Sequence, residues 1–160
     1  MRRIFSLLIA SMILAALIPA TSASSAVCWN YSAKERAFAK KINQARGRHN
    51  VGRLKLDPEL SKVAIKQTRS MTAQDRLYHT PNLGRRVTRW QMLGENVGYG
   101  STVRSLHTAF MRSSGHKHNI VKGQYRYVGV GVKQAHGSLW VTVVFQATKN
   151  PGTRLTMPKC

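Results

Sequence analysis

The nineteen residues YVGVGVKQAHGSLWVTVVF, Tyr127 to Phe145, decide the fold class. From Tyr127 to Val132, valine alternates with tyrosine and glycine. After the turn-like Ala135-His136-Gly137-Ser138, the run Leu139 to Phe145 is dense in β-branched and aromatic side chains. Period-two alternation interrupted by a glycine-containing turn predicts a β-hairpin. His136 falls at its tip and reads as a solvated residue.

Upstream of this hairpin the apolar residues follow a helical period. Ser32-Ala-Lys-Glu35 is a capping box, and Phe38, Ile42 and Ala45 follow on one face. Gly47 and the segment His49–Gly52 end that helix, with His49 in the loop. Asp57-Pro58-Glu59 joins an aspartate cap, a first-turn proline and a first-turn acid, a strong helix start. Leu60, Val63, Ala64, Gln67 and Met71 give its buried face, which is expected to run to about Arg76. Pro81 stops any further extension. Residues 82–92 are basic and irregular. Gly94, Gly98 and Gly100 then place Glu95 on a short segment between turns. Ser101 is the expected cap of a third helix burying Val103, Leu106, Phe110 and Met111, with His107 on its surface. Ser113-Ser114-Gly115 ends it, and His116 comes immediately after. Three helices followed by a hairpin describe an α+β domain with helices packed on a mainly antiparallel sheet.

The ends frame that domain. Arg2 and Arg3 precede an apolar run from Ile4 to Ile18, then Pro19 and small residues through Ala26, the layout of a secretory signal peptide. Residues 1–26 are the expected signal and residues 27–160 a single domain. Cleavage after Ala23 and an uncleaved N-terminal anchor are the alternatives. Only two cysteines occur, Cys28 and Cys160. Outside the reducing cytoplasm they most simply form one disulfide; two free thiols or an intermolecular bridge remain the other options. Lys and Arg number 26 against 5 acidic residues. Without Arg2 and Arg3 the balance is 24 against 5, a net +19. Such an excess implies attraction to anionic cell-envelope polymers, to anionic lipid, and non-specifically to nucleic acid. The basic residues are spread along the chain, and no nucleic-acid-binding motif of the usual kinds occurs.

Chemistry concentrates between Leu93 and Ile120. This stretch holds Glu95, the last carboxylate of the chain, and three of six histidines, His107, His116 and His118. Upstream, His79 is delivered just past the second helix. Imidazole and carboxylate together suit zinc or a similar divalent ion. The spacing is long-range and unlike a compact zinc-finger or HExxH signature. The same residues could equally supply a salt bridge and helix caps.

His79-Thr80, Gly94-Glu95-Asn96-Val97, Ser113-Ser-Gly-His116-Lys-His-Asn119-Ile120 and Tyr127–Val132 with Trp140–Phe145 occur in one order. In these motifs the chain resembles the CAP superfamily: cysteine-rich secretory proteins, antigen 5 and pathogenesis-related protein 1. The likeness is to its short bacterial secreted SCP-like members. The resemblance implies a three-layer α-β-α sandwich around a central, mainly antiparallel sheet. It also implies a shallow cleft in which His79, Glu95 and His116 hold zinc or magnesium. Asn96 and Asn119 are then structural support for that cleft. One departure weakens the metal site. The family's second glutamate follows an aromatic residue on the helix before the second histidine. Here Phe110 is followed by Met111, Arg112 and Ser113. The expected function is that of a secreted, monomeric, non-catalytic protein binding a lipid, a cell-envelope component or another protein. The competing expectation is a metal-dependent hydrolase, peptidase or nuclease, with Glu95 as general base.

Overall fold

A computed structural model describes residues 29–148. The expected leader 1–26, and Cys28 and Cys160 with the disulfide expected between them, lie outside the described residues. The elements run α1 Ala33–Arg48, β1 Lys55–Leu56, α2 Pro58–Ala73, a 3-10 turn Leu83–Arg85, β2 Trp90–Gly100, α3 Val103–Arg112, α4 Ser114–Val121, β3 Tyr127–Ala135 and β4 Ser138–Thr148. The sheet order is β1-β3-β4-β2. β1 is parallel to β3, and the β3–β4 and β4–β2 pairs are antiparallel.

Local signals set the first two helices. The Ser32–Glu35 capping box is formed in both directions. Asp57 accepts from the Leu60 amide with Pro58 in the first turn. The second helix ends at Ala73, capped by Gln74, short of the expected Arg76.

Alternation along the hairpin then divides the sheet into two faces. Val128, Val130, Val141, Val143 and Phe145 join Phe38, Ile42, Leu106, Phe110 and Ile120 in one apolar core beneath α1, α3 and α4. On the other face Val144 meets Leu60 and Ala64 of α2, and Trp140 meets Met71. The result is a three-layer α-β-α sandwich, with three helices on one side and one on the other. The glycines of the hairpin serve this layering. A Cβ at Gly129 or Gly131 would collide with the α2 backbone at Leu60–Ser61 or Ala64–Ile65. Their absence of a side chain lets the helix lie directly on the sheet.

Four expectations are corrected. Glu95 is not on a short segment between turns but inside an eleven-residue strand, β2. Its glycines make room for packing: a Cβ at Gly98 would stand 2.8 Å from the Phe110 ring, and Gly94 lies against Tyr125 and Asn119. Continuous pairing with β4, from Trp90 opposite Thr148 to Gly100 opposite Leu139, overrides their poor strand propensity. Thr102, not Ser101, caps α3 through a box with Ser105. Ser113 ends α3 and at once caps a fourth helix, α4, so His116 sits in a helical first turn instead of a loop. His107 is buried at 6 % exposure, not on the helix surface. It lies edge-on to Phe38 with its Nε2 unpartnered. Burial, then Lys41 and Arg48, lower its pKa from 6.5 to about 4.

Arg46 joins the three-helix side together. It is fully buried. Its guanidinium donates to the carbonyls of Gly52 (2.6 Å), Ile120 (2.8 Å), Lys122 (2.9 Å) and Tyr125 (3.4 Å). A buried cation at the C-terminal end of α4 thereby satisfies carbonyls that the helix leaves open.

Candidate functional site

Glu95 lies opposite Val144 in the sheet, on the side that faces α2. Its side chain is 5 % exposed. Oε2 accepts from the Thr80 amide at 2.8 Å and from His79 Nδ1 at 2.8 Å, and the Thr80 hydroxyl donates to Oε1. A carboxylate can only accept, so Nδ1 carries the proton and His79 presents Nε2 outward from a ring that is 63 % exposed. The segment holding His79 and Thr80 is pinned to α2. Gln67 donates to the Tyr78 carbonyl at 2.7 Å, and the Tyr78 hydroxyl donates to Ser70 at 2.7 Å.

His116 arrives from the other side of the sheet on α4. Its backbone carbonyl accepts from Asn96 at 3.0 Å. Asn119 donates to Asn96 Oδ1 at 2.9 Å and to the Glu95 carbonyl at 3.2 Å. The two asparagines therefore tie α4 to β2 at the strand position that carries the carboxylate. The His116 ring packs on Phe110 with centroids 4.6 Å apart. Burial, and secondarily the charge of nearby His79, lower its pKa below the usual imidazole value.

The other histidines stand elsewhere. His118 is exposed and contacts Lys122 Nζ at 3.2 Å, His49 caps α1, and His136 bonds the Thr72 carbonyl at 2.8 Å. Where the resemblance implies a second acid, this chain places Met111, exposed Arg112 and Ser113.

His79 and Glu95 thus form an oriented pair, with His116 as a neighbour that feels the charge of His79. The carboxylate stands behind the imidazole, the arrangement that orients a histidine ligand or base, instead of beside it as a third donor. Among the described residues, no three His, Cys, Asp or Glu side chains are grouped so that they could hold a metal ion. A zinc or magnesium site with Glu95 in the ligand set does not fit these donors as they stand. Sequence reasoning quoted Thr80 beside His79 but missed its part: two hydrogen bonds that hold the carboxylate. Nothing in residue type alone signals that, since it depends on the register of β2.

The sequence matches the Cysteine-rich secretory protein family, CAP, over residues 39–145, and the chain belongs to that family. It is 30 % identical over 129 residues to the uncharacterized protein YkwD of Bacillus subtilis (strain 168), covering 75 % of this chain and 48 % of that protein. The chain therefore spans about half the length of this relative. Among solved structures it is similar to an extracellular protein containing an SCP domain from Bacillus anthracis. The TM-score is 0.65 and the identity 27 %, over 72 % of this chain and 40 % of the other. An outer surface protein from Borrelia burgdorferi matches at TM-score 0.65 and 17 % identity, over 71 % and 92 %. NaASP2 with zinc matches at TM-score 0.58 and 14 % identity, over 82 % and 87 %, a likeness of fold. No helix among the described residues is long and apolar enough to cross a membrane.

Proposed function

We propose that the chain is a secreted, non-catalytic CAP-domain protein whose work is binding. Residues 1–26 act as the signal peptide. The mature chain 27–160, closed by a Cys28–Cys160 disulfide, holds a lipid, an anionic cell-envelope component or a protein ligand outside the cell. The observation that carries this reading is the engagement of Glu95. With three hydrogen bonds from Thr80 and His79 on its two oxygens, it orients a side chain and has little capacity left to take a proton from water. The net charge of +19 on the mature chain favours anionic partners, and nucleic acid by charge alone. The likeness to an extracellular SCP-domain protein supports the location.

One observation favours a second, hydrolytic reading. His79, with Nδ1 on a buried carboxylate and Nε2 outward, has the orientation of a general base. The test is a panel of peptide and nucleic-acid hydrolysis assays on the wild type, Glu95→Gln and His79→Ala. The binding reading expects the same background in all three. Turnover that either substitution removes contradicts it. Metal binding by His79, Glu95 and His116 is tested by metal analysis of protein purified without a histidine tag, beside a His79→Ala/His116→Ala variant. Equal metal content in the two is expected, because the three side chains do not converge as donors.

A further inference from the structure

Between α2 and the segment 78–86 lies a cavity of about 460 Å³ that His79, Glu95 and His116 do not line. That volume suits a small organic ligand and is far larger than a lone phosphate needs. Its α2 wall carries Lys62 and Lys66, both exposed and one helical turn apart. Like charges at this spacing repel, and neither lysine has an ion-pair partner among the described residues. Across from them Arg86 lines the cavity, its Nε fixed on the Pro81 carbonyl at 3.0 Å. The one carboxylate of the lining, Glu59, is turned to other work. Its Oε1 accepts from the Thr88 amide at 3.1 Å and hydroxyl at 2.8 Å. Between the cations, Val63, Pro81 and the Tyr78 ring supply apolar wall. Tyr78 is held in place by Ser70 and Gln74 on its hydroxyl. Three cations against one engaged acid, beside a fixed apolar surface, describe a receptor for an anionic head on a less polar body.

We propose that this cavity binds a phosphate group carried on a small organic body, with Lys62, Lys66 and Arg86 as its partners. Phosphate is the matching anion because its oxygens, on a singly charged diester or a monoester whose charge approaches two, accept from a guanidinium and ammonium groups at once. The cavity also adjoins the His79–Glu95 pair. Thr80, which lines it, holds Glu95 through both its amide and its hydroxyl, so ligand contact on this wall reaches the candidate site through one residue. The inference rests on the reading of the chain as a binding protein and gives that reading a place and a ligand chemistry. A hydrolase dependent on Glu95 would overturn the reading but would not change the titration below, in which Glu95 is untouched.

The experiment is isothermal titration of the mature protein, at constant ionic strength, with glycerol phosphate and with dihexanoyl-phosphatidylglycerol below its micelle concentration. Lys62→Ala/Lys66→Ala is expected to weaken binding by about ten-fold or more, from the loss of two charge-assisted contacts. Lys34→Ala/Lys40→Ala, a charge-matched pair of exposed α1 residues on the opposite side of the sheet, is expected to stay within about two-fold, as screened distant charges should. Tighter binding of the lipid, with the advantage lost in Val63→Ser, identifies a lipid headgroup. Equal binding of both probes identifies a free phosphate compound. Equal weakening in the two lysine pairs, or no binding of either probe by the wild type, overturns the proposal.

Discussion

The two faces of the sheet are built on opposite plans. Beneath α1, α3 and α4 the core is broad and apolar, and its few polar members are fully enclosed: Arg46 directs its charge at carbonyls, and His107 is kept neutral. Beneath α2 a single helix lies on two glycines, tied down by polar contacts. Thr68 donates to Thr142 at 2.9 Å, and the Val130 amide donates to Ser61 at 3.2 Å. The candidate site and the cationic cavity both belong to the rim of this thinner side. The difference teaches that one layer secures the fold while the other, anchored by backbone proximity, can carry functional side chains along its edge. Arg46 and Glu95 make the same point as a pair: both are buried, but one is satisfied by backbone carbonyls at a helix end and the other by Thr80 and His79 on the rim.

Three substitutions probe this contrast. The largest effect is expected from Gly131→Val. The added side chain would meet α2 backbone at Ala64–Ile65, with no flexible neighbour to yield. A loss of more than about 4 kcal/mol, or failure to fold, is expected by chemical denaturation. Near wild-type stability would mean that α2 does not rest on the sheet as described. Next is Arg46→Leu, which strands the buried carbonyl of Ile120 and the part-buried one of Lys122. It should cost about 3 kcal/mol, read from the denaturation midpoint.

The smallest effect is conditional on pH. His107 has its pKa lowered to about 4 in the fold against 6.5 unfolded. Above the unfolded value both states are neutral and nothing is lost. As pH falls from 6.5 towards 4 the unfolded chain takes up a proton that the folded one refuses, so stability declines by up to about 3 kcal/mol. Asp57 acts in the opposite direction over part of this range. Burial pushes its carboxyl up to about 6, so it favours the fold as pH falls. The measurement is therefore the difference between the wild type and His107→Leu in denaturation at pH 7 and pH 4.5. The variant is expected to gain relative stability on the acid side, and a constant difference would contradict the assignment.

Much of this architecture was legible in residue order. The Ser32–Glu35 box, the Asp57-Pro58 start and the hairpin pattern are local signals, and each produced the expected element. The Thr102–Ser105 box is a local signal that reading Ser101 as the cap overlooks; the larger misses depend on neighbours elsewhere in the fold. Gly94 and Gly98 look like turns until Phe110, Tyr125 and Asn119 are seen to need the space. Ser113-Ser114-Gly115 looks like an ending, yet Ser113 also begins α4. His107 is covered by Phe38, a residue of a different helix that no local window of sequence joins to it. At the candidate site, residue type drew attention to His79, Glu95 and His116. That Glu95 stands behind His79, held by Thr80, follows only from the pairing of β2 with β4 and the anchoring of Tyr78 on α2. The cavity cations were visible as lysines in a basic chain and became distinctive only once Arg86 and Tyr78 were placed opposite them.

The most direct test of a binding role seated on the α2 rim is amide chemical-shift mapping of the mature, isotope-labelled protein titrated with dihexanoyl-phosphatidylglycerol. Shifts concentrated at residues 59–70 and 78–86, extending through Thr80 to His79 and Glu95, are the expected result. Shifts scattered over the exposed basic residues of α1, or absent from the α2 rim at saturation, would contradict it.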